Sequence, residues 1–288
     1  MHSAERRFAR REAPRWTHES GIRGHLLRGL HLTGISLRVL ARDPHLMVLP
    51  LLALVFVGFV WLLVAVSLWV LGFPPASPHS GFLYQELFVA YLATYFLSTY
   101  VLAAIVASAA ARIDGRRPTV SEGIQSASRR VMRILLWSLV ASTVGLLARF
   151  ASLRYDGGSR LVARILGYTW PIATIFVVPA IVLEGLGPVK AFSRSRELLR
   201  QMWGHDVGGV LGTGIVFLLL FLLGFVPFLL GVLGDSGMAA LAVLYWLLLL
   251  SLWSVVHGIL VIALYHYATA SEASLGFSWK ALNHPWVQ

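Results

Sequence analysis

The sequence predicts an all-α integral membrane protein with six transmembrane helices and basic amphipathic helices in the interface on the cytoplasmic side. Three observations predict it. Hydrophobic residues make up 57% of the 288 and charged residues only 13%, against roughly 45–50% and about 25% in a soluble domain. Six apolar runs have about the length of a bilayer-crossing helix, some 20 residues. No ten-residue alternating pattern of the kind a membrane β-barrel needs is present, which leaves helices as the spanning element.

The apolar runs fall near 46–71, 87–111, 134–150, 165–183, 208–233 and 239–265. Residues 21–270 form the membrane domain, between a flexible basic tail over 1–20 and a C-terminal tail over 271–288. The first run begins too far along the chain for a cleavable signal. The third is short, and spans only if its helix starts among Arg129, Arg130 and Arg133 or ends past Arg149. Pro171 and Pro179 in the fourth run, and Pro227 in the fifth, permit kinks or breaks.

Charge sets the orientation. The chain carries 24 Lys+Arg against 13 Asp+Glu. Nine basic residues precede the first run, six follow the second and four follow the fourth, while the connections after the first and fifth hold none. The positive-inside rule then places both termini in the cytoplasm and the protein in the cytoplasmic (inner) membrane. The connection after the third run is the exception, with Arg149, Arg154, Arg160 and Arg164. Basic charge distributed this way points to anionic lipid headgroups as partners, and no nucleic-acid partner is expected.

A weak internal repeat runs through the layout. Asp114-Gly115-Arg116-Arg117-Pro118 and Glu184-Gly185-Leu186-Gly187-Pro188 share an acidic-Gly-x-x-Pro pattern at an offset of 70, at which Arg130/Arg200 and Met132/Met202 also match. Gly115 and Gly185 suit helix ends, and Pro118 and Pro188 suit the first turn of the next helix. Thr119-Val120-Ser121-Glu122 has capping-box spacing. Basic amphipathic stretches follow at 119–133 and 189–203, and a similar one, 24–42, precedes the first run. On the second, Val189, Phe192, Leu199 and Trp203 share one side. Arg130, Arg133, Lys190, Arg194 and Arg200 are therefore expected to contact lipid headgroups.

Catalytic and metal constellations fail on geometry. Gly234-Asp235-Ser236-Gly237 resembles a serine-protease nucleophile segment, but its only helical partner, His257, lies about 30 Å further along the same helix. A catalytic hydrogen bond needs about 3 Å. None of the ten histidines has the i, i+4 partner a helical metal site uses, and there is no cysteine. No enzyme activity, cofactor or metal is expected. Gly208 and Gly212, Ala103, Ala107 and Ala111, and Ser138 and Ser142 read as small-residue packing stripes.

Polar residues within the spans are costly and therefore informative. His257 shares a helix face with Trp246 and Trp253, and reads as a hydrogen-bonded structural residue or a sensing group in a cavity. Arg149 and Arg164 either snorkel to headgroups or line an anion-attracting cavity. Glu86, Asp114 and Glu184 lie near span ends. Pairing of Asp114 with Arg130, and of Glu184 with Arg200, would offset the opposition between a carboxylate and a helix C-terminus.

The stretches LRVLARDPHLMVLPLLA (37–53), DGRRPTVSEGIQSASRR (114–130) and TWPIATIFVVPAIVLEGLGPVKAFSRSRELL (169–199) resemble a family of uncharacterised six-span membrane proteins of bacteria and archaea. The resemblance implies fold and location and brings no catalytic residues. The layout is also similar to the membrane domain attached to some glycerophosphodiester phosphodiesterases, though this chain carries no soluble phosphodiesterase domain. A fainter likeness is to six-span sulfate permeases, in fold alone. The expected function is a non-enzymatic membrane component that binds lipid, a partner protein or a second copy of itself. The alternative is a secondary permease for a small, anionic solute.

Overall fold

The computed structural model describes Gly34, Leu40 and residues 44–70, 81–113, 115–116, 119–154, 169–202, 207–234 and 236–270. Both predicted tails and most of the stretch 24–42 lie outside the described residues. Among those described, the regular structure is entirely helical. A 3₁₀ turn at Pro44–Met47 leads into α1 (Val48–Val70), and then come α2 (Gly81–Ile113), α3 (Val120–Ser128) and α4 (Val131–Arg154). After α5 (Val177–Val182) the chain forms α6 (Pro188–Met202), α7 (Val207–Leu223), α8 (Phe225–Leu233) and α9 (Ser236–Ala270).

Four helices are long and apolar enough to cross a membrane singly: His45–Val70, Gln85–Ile113, Thr213–Leu233 and Gly237–His266. A fifth crossing requires α3 and the Val131–Leu147 part of α4, which meet at a bend of 71°, to act together. Of the six predicted spans, four or five are therefore seen among the described residues. The third run does qualify as a long helix in the way anticipated, since α4 both starts at Val131 and continues past Arg149 to Arg154. The fourth, predicted near 165–183, is described only from Thr169 onward. Its described part, Thr169–Val182, is too short to span. Pro171 and Pro179 lack amide donors, and residues 174–176 turn out of the helix.

The surface matches a hydrocarbon solvent. On α1, Leu52, Val55, Phe56, Phe59, Leu62 and Leu63 are each more than half exposed, an apolar face far larger than soluble monomers tolerate. Protein-on-protein packing concentrates elsewhere. At about 1.5 Å per residue α2 is roughly 50 Å long, some 20 Å more than a hydrocarbon core of about 30 Å. Its Ile113 half is enclosed, with Ala103, Ala104, Ile105 and Val106 fully buried against Phe176–Val182, Ala191, Leu198 and the Val255–Ala268 part of α9.

The turns that organise this end follow local chemistry. Gly115 has φ +79 and Gly185 φ +65, the left-handed conformation glycine adopts without penalty. Gly115 N donates to Arg112 O and Arg116 N to Ala111 O, both at 3.0 Å, a Schellman closure that satisfies two terminal carbonyls. The Thr119/Glu122 capping box then starts α3. This helix folds back along α2. A Cβ on Gly123 would meet the Ala104 carbonyl at 2.9 Å, and Tyr100 Oη lies 2.7 Å from Ser128 Oγ.

α6 uses its apolar side in the same manner. Ala191, Ser195, Leu198 and Leu199 are buried, and Phe192 stacks with Trp137 and Trp170. Val189, expected on the apolar side, is 82% exposed. Both described amphipathic helices therefore pack on the protein itself. These contacts bury apolar area that lipid would otherwise cover.

Candidate functional site

Three features at and below the Ile113 end carry the unusual chemistry. The first is the break in Thr169–Val182. There, Phe176 N donates to Ser195 Oγ at 3.2 Å, and the Ser195 hydroxyl donates to Ala173 O at 2.8 Å. One side chain from α6 thus satisfies a donor and an acceptor that the interrupted ladder leaves open. The break between α7 and α8, beside Pro227, is treated alike. Tyr245 Oη donates to Leu220 O at 2.7 Å and Trp246 Nε1 to Phe221 O at 3.0 Å.

The second feature is a polar cluster after α5. Arg194 Nε donates to Glu184 Oε1 at 3.2 Å and its Nη1 to Glu197 Oε2 at 3.1 Å, while the Tyr265 hydroxyl donates to Glu184 Oε1. Glu184 therefore pairs with Arg194 where the sequence pointed to Arg200. About one and two-thirds turns separate the two arginines on α6, and helix phase brings Arg194 round to the carboxylate. Partial burial works against the Arg194 charge, but hydrogen bonds and attraction from Glu197 and Glu184 outweigh it and hold the guanidinium above its ordinary range. A raised basic group contributes stability that is complete below its unfolded value and lost only as pH climbs through the folded one. This cation therefore persists throughout the physiological range.

Because the Arg194–Glu184 side chains are about a third exposed (31% and 32%), a double-mutant cycle on that pair is expected to give a coupling of at most about 1 kcal/mol. The Glu184–Tyr265 cycle is expected to exceed it, because Tyr265 is buried and a hydrogen bond to a charged group contributes about 1.5–3 kcal/mol. Equal couplings, measured by thermal unfolding in detergent, would contradict this ordering.

Beside this cluster, Arg130 and Arg133 reach the Gly185 turn, their guanidinium atoms 3.1 Å from where a Cβ on Gly185 would sit. Arg133 lines an open depression with Gly185, Leu186, Gly187, Pro188 and Lys190. Its Nη1 is shut off from solvent and, among the described residues, has no hydrogen-bond acceptor. The first turn of α4, the turn after α5 and, through Tyr265, the last turns of α9 are thus brought together.

The third feature is a cavity of about 470 Å³ between α2, α4, Thr169–Val182, α6 and α9. Tyr91, Tyr95, Trp137, Trp170, Phe176 and His257 form much of its wall, and it contains no Lys, Arg, Asp or Glu among the described residues. His257 stacks on Trp253 with centroids 5.3 Å apart, and its Nδ1 is buried without a partner among the described residues. Trp246, on the same helix face, turns instead to Phe221, Phe225 and Phe228.

Among the other sequence-derived positions, Glu86 accepts from Ser67 Oγ at 3.1 Å, which ties α1 to α2. Lys190 and Arg200 are exposed, whereas Arg194 is engaged by two carboxylates. Asp114, Arg164 and the side chain of Arg149 lie outside the described residues. Ser138 and Ser142 are fully buried and donate to carbonyls of their own helix, at 2.8 and 3.1 Å. No group of three or more His, Cys, Asp or Glu able to hold a metal ion occurs among the described residues. Sequence reading passed over Ser195, Tyr91, Tyr95 and Tyr265. For Ser195 there was a signal: it lies on the α6 face of Ala191, Leu198 and Leu199, at spacings of four, three and four.

Residues 81–276 match the model of a family of unknown function, DUF6159. The chain belongs to that family. The matched region runs from the start of α2 past the end of α9, and so contains all three features. The family assignment agrees with the resemblance to uncharacterised membrane proteins and carries no link to the phosphodiesterase membrane domain. No curated protein and no solved structure matches the chain.

Proposed function

We propose that this protein is a non-enzymatic, lipid-binding component of the cytoplasmic membrane, holding anionic headgroups at the Ile113 end of its bundle. One observation carries the reading: Arg130 and Arg133 converge on the Gly185 turn beside Lys190, and Arg133 Nη1 has no acceptor among the described residues. Buried donors in native structures are almost always partnered, and a phosphate oxygen would supply the acceptor. The place is also right. α2 is some 20 Å longer than a hydrocarbon core, and a projection at its Ile113 end would leave the Arg129–Arg130 bend and the first turn of α4 at headgroup depth. Basic residues there attract anionic lipid at about 1 kcal/mol each. The positive-inside count favours this end as cytoplasmic, with both termini on the same side.

A permease for a small anion is less well supported. It needs a continuous polar path at mid-membrane, whereas the cavity wall is largely aromatic and aliphatic and lacks a described cation.

The test is lipid retention. Protein purified in mild detergent is expected to keep phosphatidylglycerol, and replacing Arg130, Arg133 and Lys190 with glutamine is expected to lower retention roughly fivefold per residue, from about 1 kcal/mol each. Retention unchanged in the triple variant would overturn the proposal. A reporter at Gln288 found facing away from the cytoplasm would overturn the orientation.

A further inference from the structure

We infer that the cavity between α2, α4 and α9 is a second binding site, specific for an uncharged single-chain lipid with a hydroxyl or carbonyl head. This goes beyond the headgroup reading and does not depend on it.

Volume is the first argument. About 470 Å³ falls within the range of small-molecule sites, roughly 300–1,000 Å³. The wall follows α2 from Tyr91 to Leu102, about 16 Å at 1.5 Å per residue, enough to seat most of a single alkyl chain. Trp137 and Trp170 stack with centroids 6.0 Å apart and form one rigid side of it.

The polar groups select the head. Thr99 and Thr174 line the cavity but spend their hydroxyls on the carbonyls of Tyr95 and Trp170. His257 is different: its side chain is part of the wall, while its Nδ1 is buried and, among the described residues, unpartnered. The Tyr91 and Tyr95 rings form the same wall. A buried polar atom without a partner costs about 1–3 kcal/mol, and a cavity on its doorstep is where the missing partner fits. With no cation in the described wall, a carboxylate or phosphate would enter uncompensated. A hydroxyl or carbonyl needs no counter-charge and can pair with a neutral imidazole and with phenols. The chemistry thus separates this site from the basic depression, which takes anions.

The full-length protein in nanodiscs, irradiated with a diazirine-tagged monoacylglycerol, is expected to be labelled within 137–145 and 169–178. Unlabelled monoolein should compete, and oleate should compete at least tenfold less well. His257→Phe keeps ring, volume and stacking but removes the nitrogens. It is expected to cut labelling at least tenfold while leaving the melting temperature of the ligand-free protein unchanged or higher, and monoolein should stabilise wild type but not the variant. A purely structural histidine would instead lower the melting temperature on replacement. Ala141→Phe, which fills the cavity from α4, should abolish labelling independently. The Arg130/Arg133/Lys190 glutamine variant should retain monoolein labelling, so failure of the headgroup proposal and failure of this one read out separately. Labelling outside these segments, equal competition by oleate, or full labelling of His257→Phe would each overturn the inference.

Discussion

Replacing Ser195 with alanine is expected to destabilise the protein by about 4 kcal/mol, although the change deletes a single oxygen. That oxygen is buried and serves two backbone groups at once, accepting from Phe176 N and donating to Ala173 O. Neither group has an alternative inside the helix. Val177 N, which would normally reach Ala173 O, donates to Thr174 O, and Ile175 N donates to Ile172 O at 3.3 Å. Each orphaned buried group costs about 1–3 kcal/mol, and two at mid-range give the figure. The loss should appear in thermal unfolding and, locally, as faster hydrogen exchange at Phe176. Ser193→Ala, two residues away and exposed, should stay within about 0.5 kcal/mol. Equal effects at 193 and 195 would show that the bridge does not support the break.

The second large effect is expected at Gly231, where α8 and α9 meet beneath their turn. A Cβ there would lie 2.7 Å from both Cα and Cβ of Ala239 and closer still to its amide nitrogen. Backbone cannot rotate away as a side chain can, so Gly231→Ala must separate the two helices. Strain of this kind typically costs about 1–3 kcal/mol, and the upper end applies because the obstruction is main chain. In a membrane, such close approach is itself the source of helix association, through dispersion contacts that lipid cannot replace. Gly58 is the control, since a Cβ there meets nothing within 4 Å. Gly58→Ala should be neutral or stabilising by a few tenths of a kcal/mol. Matching melting temperatures for the two variants would refute the close-packing account.

These two sites show which parts of the molecule were legible. The Thr119–Glu122 capping box, the helix ends at Gly115 and Gly185, and the extension of the third run past Arg149 were all readable, because each depends on residues within a few positions of one another. The repeat between Asp114-Gly115 and Glu184-Gly185 was readable for the same reason, and the two glycines share the left-handed conformation. The Glu184 partner was not. Choosing Arg194 over Arg200 depends on the phase of α6 against the bundle, which periodicity along one helix does not supply. His257 was singled out for its cost in a span, but its partner cavity is built from five separate segments.

Hydropathy and charge along the chain were sufficient for an all-helical membrane protein with basic turns gathered at one end, since the bilayer acts on each segment independently of its neighbours. The prolines of the fourth run already allowed its break, but tertiary structure alone decided that α3 and α6 pack inward. It also decided that Ser195, Tyr245 and Trp246 meet the open backbone groups and that a neutral cavity forms beside a basic depression. Those outcomes require atoms from distant parts of the chain to satisfy one another where water is absent, and that condition is met in three dimensions before it is visible in one.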